Sequence, residues 1–205
     1  MKGKTKRGPI RLIVALSVVV AAAGALAWCV SHRRPPDSYR LTEWPRGARQ
    51  PSISLVDVDG RQRTLADYRG RVAVLFFGYL RCPNACPAEL FKLALVMKQL
   101  GPVRDRVQVL FVTLDPERDT PQLLRSYVAA FDPTFIGLTG TPDQIAKAAN
   151  SFSVAYEKVN LGGDYAIDHS TETYVLDTRG RLRLFGAMDK TVSDFTHDLA
   201  ALANE

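Results

Sequence analysis

Residues 71–87 read RVAVLFFGYLRCPNACP. Val72 to Phe77 are apolar without a break, which fits a central strand covered on both faces and excludes an alternating, half-exposed one. Gly78 ends the run, and Cys82 and Cys86 follow in a short loop. Pro87 suits a first helical turn. Over residues 88–100 the apolar positions Leu90, Phe91, Leu93, Ala94, Val96 and Met97 fall at helical spacings, and Gly101 suits the stop. A buried strand, a cysteine loop and a helix beginning at the second cysteine place two thiols at a helix N-terminus. The amides of a first helical turn favour a thiolate over a thiol there. The pair is poised either to close a disulfide or to hold a soft metal, and three intervening residues leave the sulfurs room to splay around an ion. A purely structural disulfide is the plainer alternative, but closing so short a loop stabilises little.

Upstream, residues 53–58 alternate as a strand, Asp59-Gly60 is a hairpin turn signal, and residues 61–65 can return as the partner. Downstream, residues 107–114 form a second buried run, followed by a helix over 120–131 that opens with Thr120-Pro121. The short apolar stretch 135–138 leads to Thr141-Pro142-Asp143-Gln144, a capping box with proline at the first helical position. That helix is expected to run to about Asn150. Residues 172–177 and 182–185 flank Thr178-Arg179-Gly180 and read as a hairpin, and 194–202 as a closing helix with Phe195, Leu199 and Leu202 on one face. Helical crossovers between buried strands predict an α/β domain over 51–205, with a mixed sheet flanked by helices and an antiparallel hairpin at its end.

The chain has 205 residues and a formal net charge of +6. Seven of its 27 Lys and Arg lie within residues 1–34, which contain no acid, so the remainder holds 20 basic against 21 acidic residues. A nucleic-acid-binding domain carries its positive charge on the folded surface, so no nucleic-acid partner is expected. Residues 12–30 carry no charge, and as a helix they would span roughly 30 Å, the thickness of a bilayer core. The expectation is a basic cytoplasmic tail (1–11), a transmembrane helix (12–30), an extended linker (31–50), and a domain exported across the inner membrane to the periplasmic or extracytoplasmic side. Cleavage at Ala25-Leu26-Ala27 is the rival reading. Lipidation at Cys29 is disfavoured by the bulky Trp28 before it.

Two thiolates rarely complete a metal site, and there are three histidines to add a ligand. His32 falls in the linker and His197 on the outer side of the closing helix. His169 stands in Asp168-His169-Ser170, in a loop just before the terminal hairpin. In thioredoxin-like domains that loop faces the cysteine motif, which would bring an imidazole opposite Cys82 and Cys86. Two sulfurs and one nitrogen suit Cu(I), whereas zinc demands four ligands or three plus water.

These blocks resemble the Sco/SenC family of copper-binding, thioredoxin-like assembly factors. Phe77-Gly78-Tyr79 through Cys82-Pro83 and Cys86-Pro87 is similar to the family's copper loop. Asp115-Pro116, Arg118-Asp119-Thr120-Pro121, Tyr127 and Phe131 are similar to its second block. Gly137-Leu138-Thr139-Gly140, then Tyr165 with Asp168-His169-Ser170, resemble the third and fourth. The resemblance implies one copper ion, as Cu(I) with Cu(II) as a second state, bound by Cys82, Cys86 and His169. It also implies a metallochaperone that assists assembly of the dinuclear copper site of cytochrome c oxidase. The implied partners are the subunit bearing that site and an upstream copper donor or thiol reductant. The alternative is a membrane-anchored thiol-disulfide oxidoreductase using Cys82 and Cys86 as its redox pair, and a copper or redox sensor would use the same ligands. A pure reductase has no need of His169. A peroxidase is disfavoured by Tyr79, where peroxiredoxins place a threonine. The chain departs from the family at Leu80, commonly threonine, and at Asn84, commonly aspartate. Asp115 and Asp119 read as caps and turn residues before the helix, and Asp168 as an orienting partner for His169 or a shaper of its loop.

Overall fold

Every residue of Val72–Gly78 and of Val107–Thr113 is buried, as expected of predominantly apolar central strands, and the polar Gln108 and Thr113 are buried with them. The structure, a computed structural model, describes residues 38–205. Its strands are β1 (Thr42–Glu43), β2 (Leu55–Asp57), β3 (Gln62–Arg63), β4 (Val72–Gly78), β5 (Val107–Thr113), β6 (Ile136–Thr139), β7 (Tyr156–Asn160), β8 (Tyr165–His169), β9 (Thr173–Leu176) and β10 (Leu182–Gly186). The α-helices are α1 (Ala85–Gln99), α2 (Pro121–Ala129), α3 (Pro142–Ser151) and α4 (Val192–Ala203).

Eight strands form one mixed sheet in the order β1-β10-β9-β4-β5-β6-β2-β3. β4, β5 and β6 are parallel, β9 runs antiparallel beside β4, and β10 runs antiparallel beside β9. The parallel strands are joined by helical crossovers, which cover the sheet and bury its central strands on both faces. This is the thioredoxin-like arrangement that the sequence predicts.

Local chemistry sets the boundaries. Thr141 caps α3 in a capping box with Gln144, and Thr191 caps α4 in one with Asp194. The hairpin turns after β2 and β9 use one solution twice. Asp57 Oδ1 accepts the amides of Asp59 and Arg61, and Asp177 Oδ1 accepts those of Arg179 and Arg181. Gly60 and Gly180 supply φ of +79° and +78°, which other residues adopt only with strain.

Three expectations need correction. The segment 31–50 was expected as a linker, yet from Ser38 onward it belongs to the folded unit. Leu41 is buried, the amides of Arg40 and Leu41 donate to the Asp198 carboxylate, and β1 pairs with β10. A two-residue edge strand whose pairing partners, Phe185 and Leu184, lie at the far end of the chain leaves no periodicity to read. Next, His169 was expected in a loop, yet residues 156–169 form a hairpin, β7–β8, separate from the large sheet, and His169 is the last residue of its second strand. Most of β7 is exposed, so the apolar pattern of a strand is missing.

The third correction concerns the membrane. The expected anchor at 12–30 lies outside the described residues, and among those described no helix is long and apolar enough to cross a membrane. The longest, α1, has 15 residues and includes Glu89, Lys92 and Lys98. It rises roughly 22 Å, short of a bilayer core. The described fold therefore contains no transmembrane helix, and no described residue supports the expected single-pass inner-membrane localisation or the membrane as a partner.

Candidate metal centre

The carboxyl end of β4 is where the chemistry collects. Gly78 pairs with Thr113 at the ends of β4 and β5, and the chain then turns through 79–84 into α1. Cys86 sits in the first turn of α1 and is wholly buried, while Cys82 is half-buried in the loop before it. The approach of β4 to α1 requires glycine at 78: a Cβ there would lie 2.7 Å from Cys86 Sγ and 3.0 Å from a Phe111 ring carbon.

His169 arrives from the other side. Thr173 at the start of β9 pairs with Phe76 near the end of β4, so the antiparallel strand begins where β4 finishes. His169, four residues earlier, ends β8 and faces the thiols. Its ring lies edge-on to Phe76 and Tyr79, with centroids 6.3 and 6.0 Å away. His169 Nε2 stands 3.6 Å from Cys86 Sγ. His169 Nδ1 is 2.7 Å from the Ser170 carbonyl oxygen, which can only accept, so Nδ1 carries the proton and Nε2 presents its lone pair to the sulfurs. The orienting group is thus the Ser170 carbonyl, and Asp168 points to solvent on the opposite face of the strand.

The two thiols are unlike. The hydrogen bond from the Cys86 thiol, aided by the amides of Cys86 and Asn84, brings the Cys82 thiol down to about 5. The Cys86 amide lies 3.3 Å from Cys82 Sγ. Cys86 is pushed far above the ordinary thiol range by its hydrogen bond to Cys82 and by burial. In this pair the charged form is favoured at Cys82, the more accessible member, and disfavoured at Cys86. Cys82 Sγ, Cys86 Sγ and a ring nitrogen of His169 lie within 4.8 Å of one another, the one such cluster among the described residues.

Of the remaining candidates, His32 and Cys29 lie outside the described residues, and His197 is bound 2.7 Å from the Asp198 carboxylate on α4. Asp115 and Asp119 are buried and do not cap α2, whose cap is Thr120. Asp119 Oδ2 instead accepts the amide of Leu80, at the start of the cysteine loop, and Asp115 accepts the Tyr165 hydroxyl of β8. Their partners lie 39 and 50 positions away, which is why a local reading assigns them to turns.

A family model described as SCO1/SenC matches residues 45–204. Protein SCO2 homolog, mitochondrial, of Bos taurus is 39% identical over 176 residues, covering 83% of this chain and 66% of the relative. Protein SCO1, mitochondrial, of Saccharomyces cerevisiae is 33% identical over 190 residues, covering 87% of this chain and 64% of the relative. The match thus spans a little under two thirds of the length of each relative. Among solved structures, that of Bradyrhizobium japonicum ScoI with copper bound is similar with a TM-score of 0.70 and 35% identity, covering 76% of this chain and 99% of that one.

Proposed function

This chain belongs to the SCO1/SenC family, and on that premise we propose that it is a copper metallochaperone which assists assembly of the dinuclear copper site of cytochrome c oxidase. It takes one Cu(I) on Cys82 Sγ, Cys86 Sγ and His169 Nε2 and releases it by ligand exchange. The observation that carries this reading is the donor set. Two soft sulfurs and one neutral imidazole converge, and this is a complete set for Cu(I) and an incomplete one for structural zinc. Bonds of about 2.0–2.3 Å in a trigonal plane would put ligand atoms roughly 3.5–4 Å apart, and the 3.6 Å between Cys86 Sγ and His169 Nε2 falls in that interval. The half-exposed Cys82 gives an acceptor thiol a sulfur to reach first, so copper can pass through a shared-ligand intermediate.

The unequal thiols also support thiol-disulfide exchange as a second reading. The Cys82 thiolate would attack a substrate disulfide, Cys86 would resolve the mixed disulfide, and two electrons would pass to the substrate. The readings part at His169, which exchange does not use. Reduced protein titrated anaerobically against a competing Cu(I) chelator should bind one ion per chain. His169→Ala should weaken binding by more than about a hundredfold, beyond the loss typical of an outer partner, while sparing reduction of a disulfide substrate. Unchanged affinity in His169→Ala would overturn the three-ligand site.

A further inference from the structure

His169 is carried on a hairpin that shares no ladder with the large sheet, so its position against the thiols depends on other contacts. Ile167 packs into the core and the His169 ring against Phe76 and Tyr79, and the hydrogen bonds to a buried carboxylate come from the loop after β5. Asp115 is fully buried. Its Oδ1 accepts the Tyr165 hydroxyl at 2.7 Å and its Oδ2 pairs with Arg118 Nε. The Arg118 guanidinium lies 3.5 Å over the Tyr165 ring and donates to the Tyr165 carbonyl at 2.9 Å.

From Asp115 the hydrogen bonds continue to the cysteine loop. The Asp115 amide donates to Thr113 Oγ1 at 2.9 Å, the Thr113 hydroxyl donates to Asp119 Oδ2 at 2.5 Å, and that oxygen accepts the Leu80 amide at 3.1 Å. An unbroken chain runs from the strand that ends in His169, across the end of β5, to a residue two before Cys82. Arg118 also pairs with Asp164 in the hairpin turn at 2.7 Å, and two further ion pairs, Lys158 with Glu117 and Arg81 with Asp164, reach the hairpin but are solvent-exposed on both sides. Exposed pairs contribute little, whereas a buried carboxylate deprived of its partner is strongly unfavourable. Among the polar contacts to the hairpin, those of Asp115 and Arg118 therefore dominate.

We propose that Tyr165, Asp115 and Arg118 are positioning residues for the copper site, a latch that holds the histidine hairpin in register with the cysteine loop. This rests on the three-ligand reading above. The latch touches no ligand atom; it sets Cu(I) affinity only through the place of His169 Nε2. Tyr165→Phe removes one hydroxyl, leaves the ring for Arg118, and strands Asp115 Oδ1.

The test is a double-mutant cycle on the whole protein, read as Cu(I) affinity against a chelator. Tyr165→Phe should weaken binding about tenfold, the consequence of one stranded buried acceptor, and should have no further effect in a His169→Ala background. Arg118→Gln should follow the same pattern. Amide hydrogen exchange should quicken in β7 and β8 of Tyr165→Phe and stay unchanged in β4 and β5. An equal loss in both backgrounds, or a Tyr165→Phe protein with wild-type affinity, would overturn the latch while leaving the ligand set intact. Wild-type affinity in His169→Ala alone would overturn the ligand set, and the latch with it.

Discussion

His169 Nε2 lies 3.6 Å from Cys86 Sγ although 83 positions separate the two residues. The antiparallel register of β9 on β4 produces that approach, because Thr173 pairs with Phe76 at the end of the strand that feeds the cysteine loop. Both thiols are free in this arrangement, and a ligand sulfur must be a thiolate. A Cys82–Cys86 disulfide would consume both sulfurs, and His169 alone cannot hold Cu(I). Mild oxidation should therefore abolish Cu(I) uptake in proportion to the thiols lost, and dithiol reduction should restore it. Thiol labelling and copper titration on the same samples check this. Normal uptake by fully oxidised protein would place the metal elsewhere.

Gly78 connects fold to site more tightly than any other glycine here. A Cβ at 78 would meet Cys86 Sγ at 2.7 Å and Phe111 at 3.0 Å, and neither neighbour has solvent to move into. Overpacking of this kind destabilises by about 1–3 kcal/mol. The strain falls on a ligand atom, so Gly78→Ala should lower Cu(I) affinity as well as the thermal midpoint. Gly47, where a Cβ would meet nothing within 4 Å, serves as the control: Gly47→Ala strains only its positive φ and should leave copper binding alone. Equal copper affinities in the two variants would show that Cys86 relaxes freely.

The sequence made the central sheet, the main helices and the two cysteines legible because each rests on local pattern. The unbroken run 72–77, the capping box at Thr141 and the Asp-x-x-Gly turns all act within a few residues. His169 was reachable only through topology and family resemblance, since no periodicity marks β8. The parts that were not legible depend on distant partners. Asp115 looks like a turn residue until Tyr165 arrives from 50 positions away, and residues 38–44 look like a linker until Asp198 takes their amides. Phe91 shows the same limit in reverse: its helical spacing places it among apolar neighbours, yet it is 60% exposed on the outer side of α1.

Asp177 links stability to pH. Burial alone would raise its carboxyl pKa, but the bonds from the Arg181 amide and guanidinium and from the Arg179 amide outweigh it and hold the group below the ordinary range. With the folded value below the unfolded one of about 3.9, the stabilisation is fully present above about pH 4 and is lost as pH falls through the folded value. Asn at 177 keeps an oxygen for the two amides and loses the pairs with Arg181 and Arg183, whose heads are partly exposed. Asp177→Asn should therefore lose about 1 kcal/mol at neutral pH, with the gap to wild type closing below pH 4. Denaturant midpoints measured in both ranges decide; a gap independent of pH would remove the carboxylate from the account.

Asn84 offers the sharpest test of the thiol electrostatics. It is the residue before α1, it is exposed, and its side chain caps no amide. Its backbone amide helps to bring Cys82 down to about 5. An aspartate there would interact favourably with the positive end of the helix, yet would set a negative charge beside the Cys82 thiolate, which disfavours that thiolate. The two effects act on different observables. Asn84→Asp should raise the thermal midpoint slightly and shift the first thiol titration upward from about 5. The shift should shrink in high salt, because solvent and ions reach an exposed carboxylate. Thiolate absorbance followed across pH at two ionic strengths measures it, with the cysteines fitted as one coupled pair. Cu(I) stoichiometry should remain one per chain, because all three ligand atoms are unchanged. Superimposable titrations at low salt would mean that side chain 84 lies outside the field felt by the sulfurs, and that the acidity of Cys82 is set by the backbone and Cys86 alone.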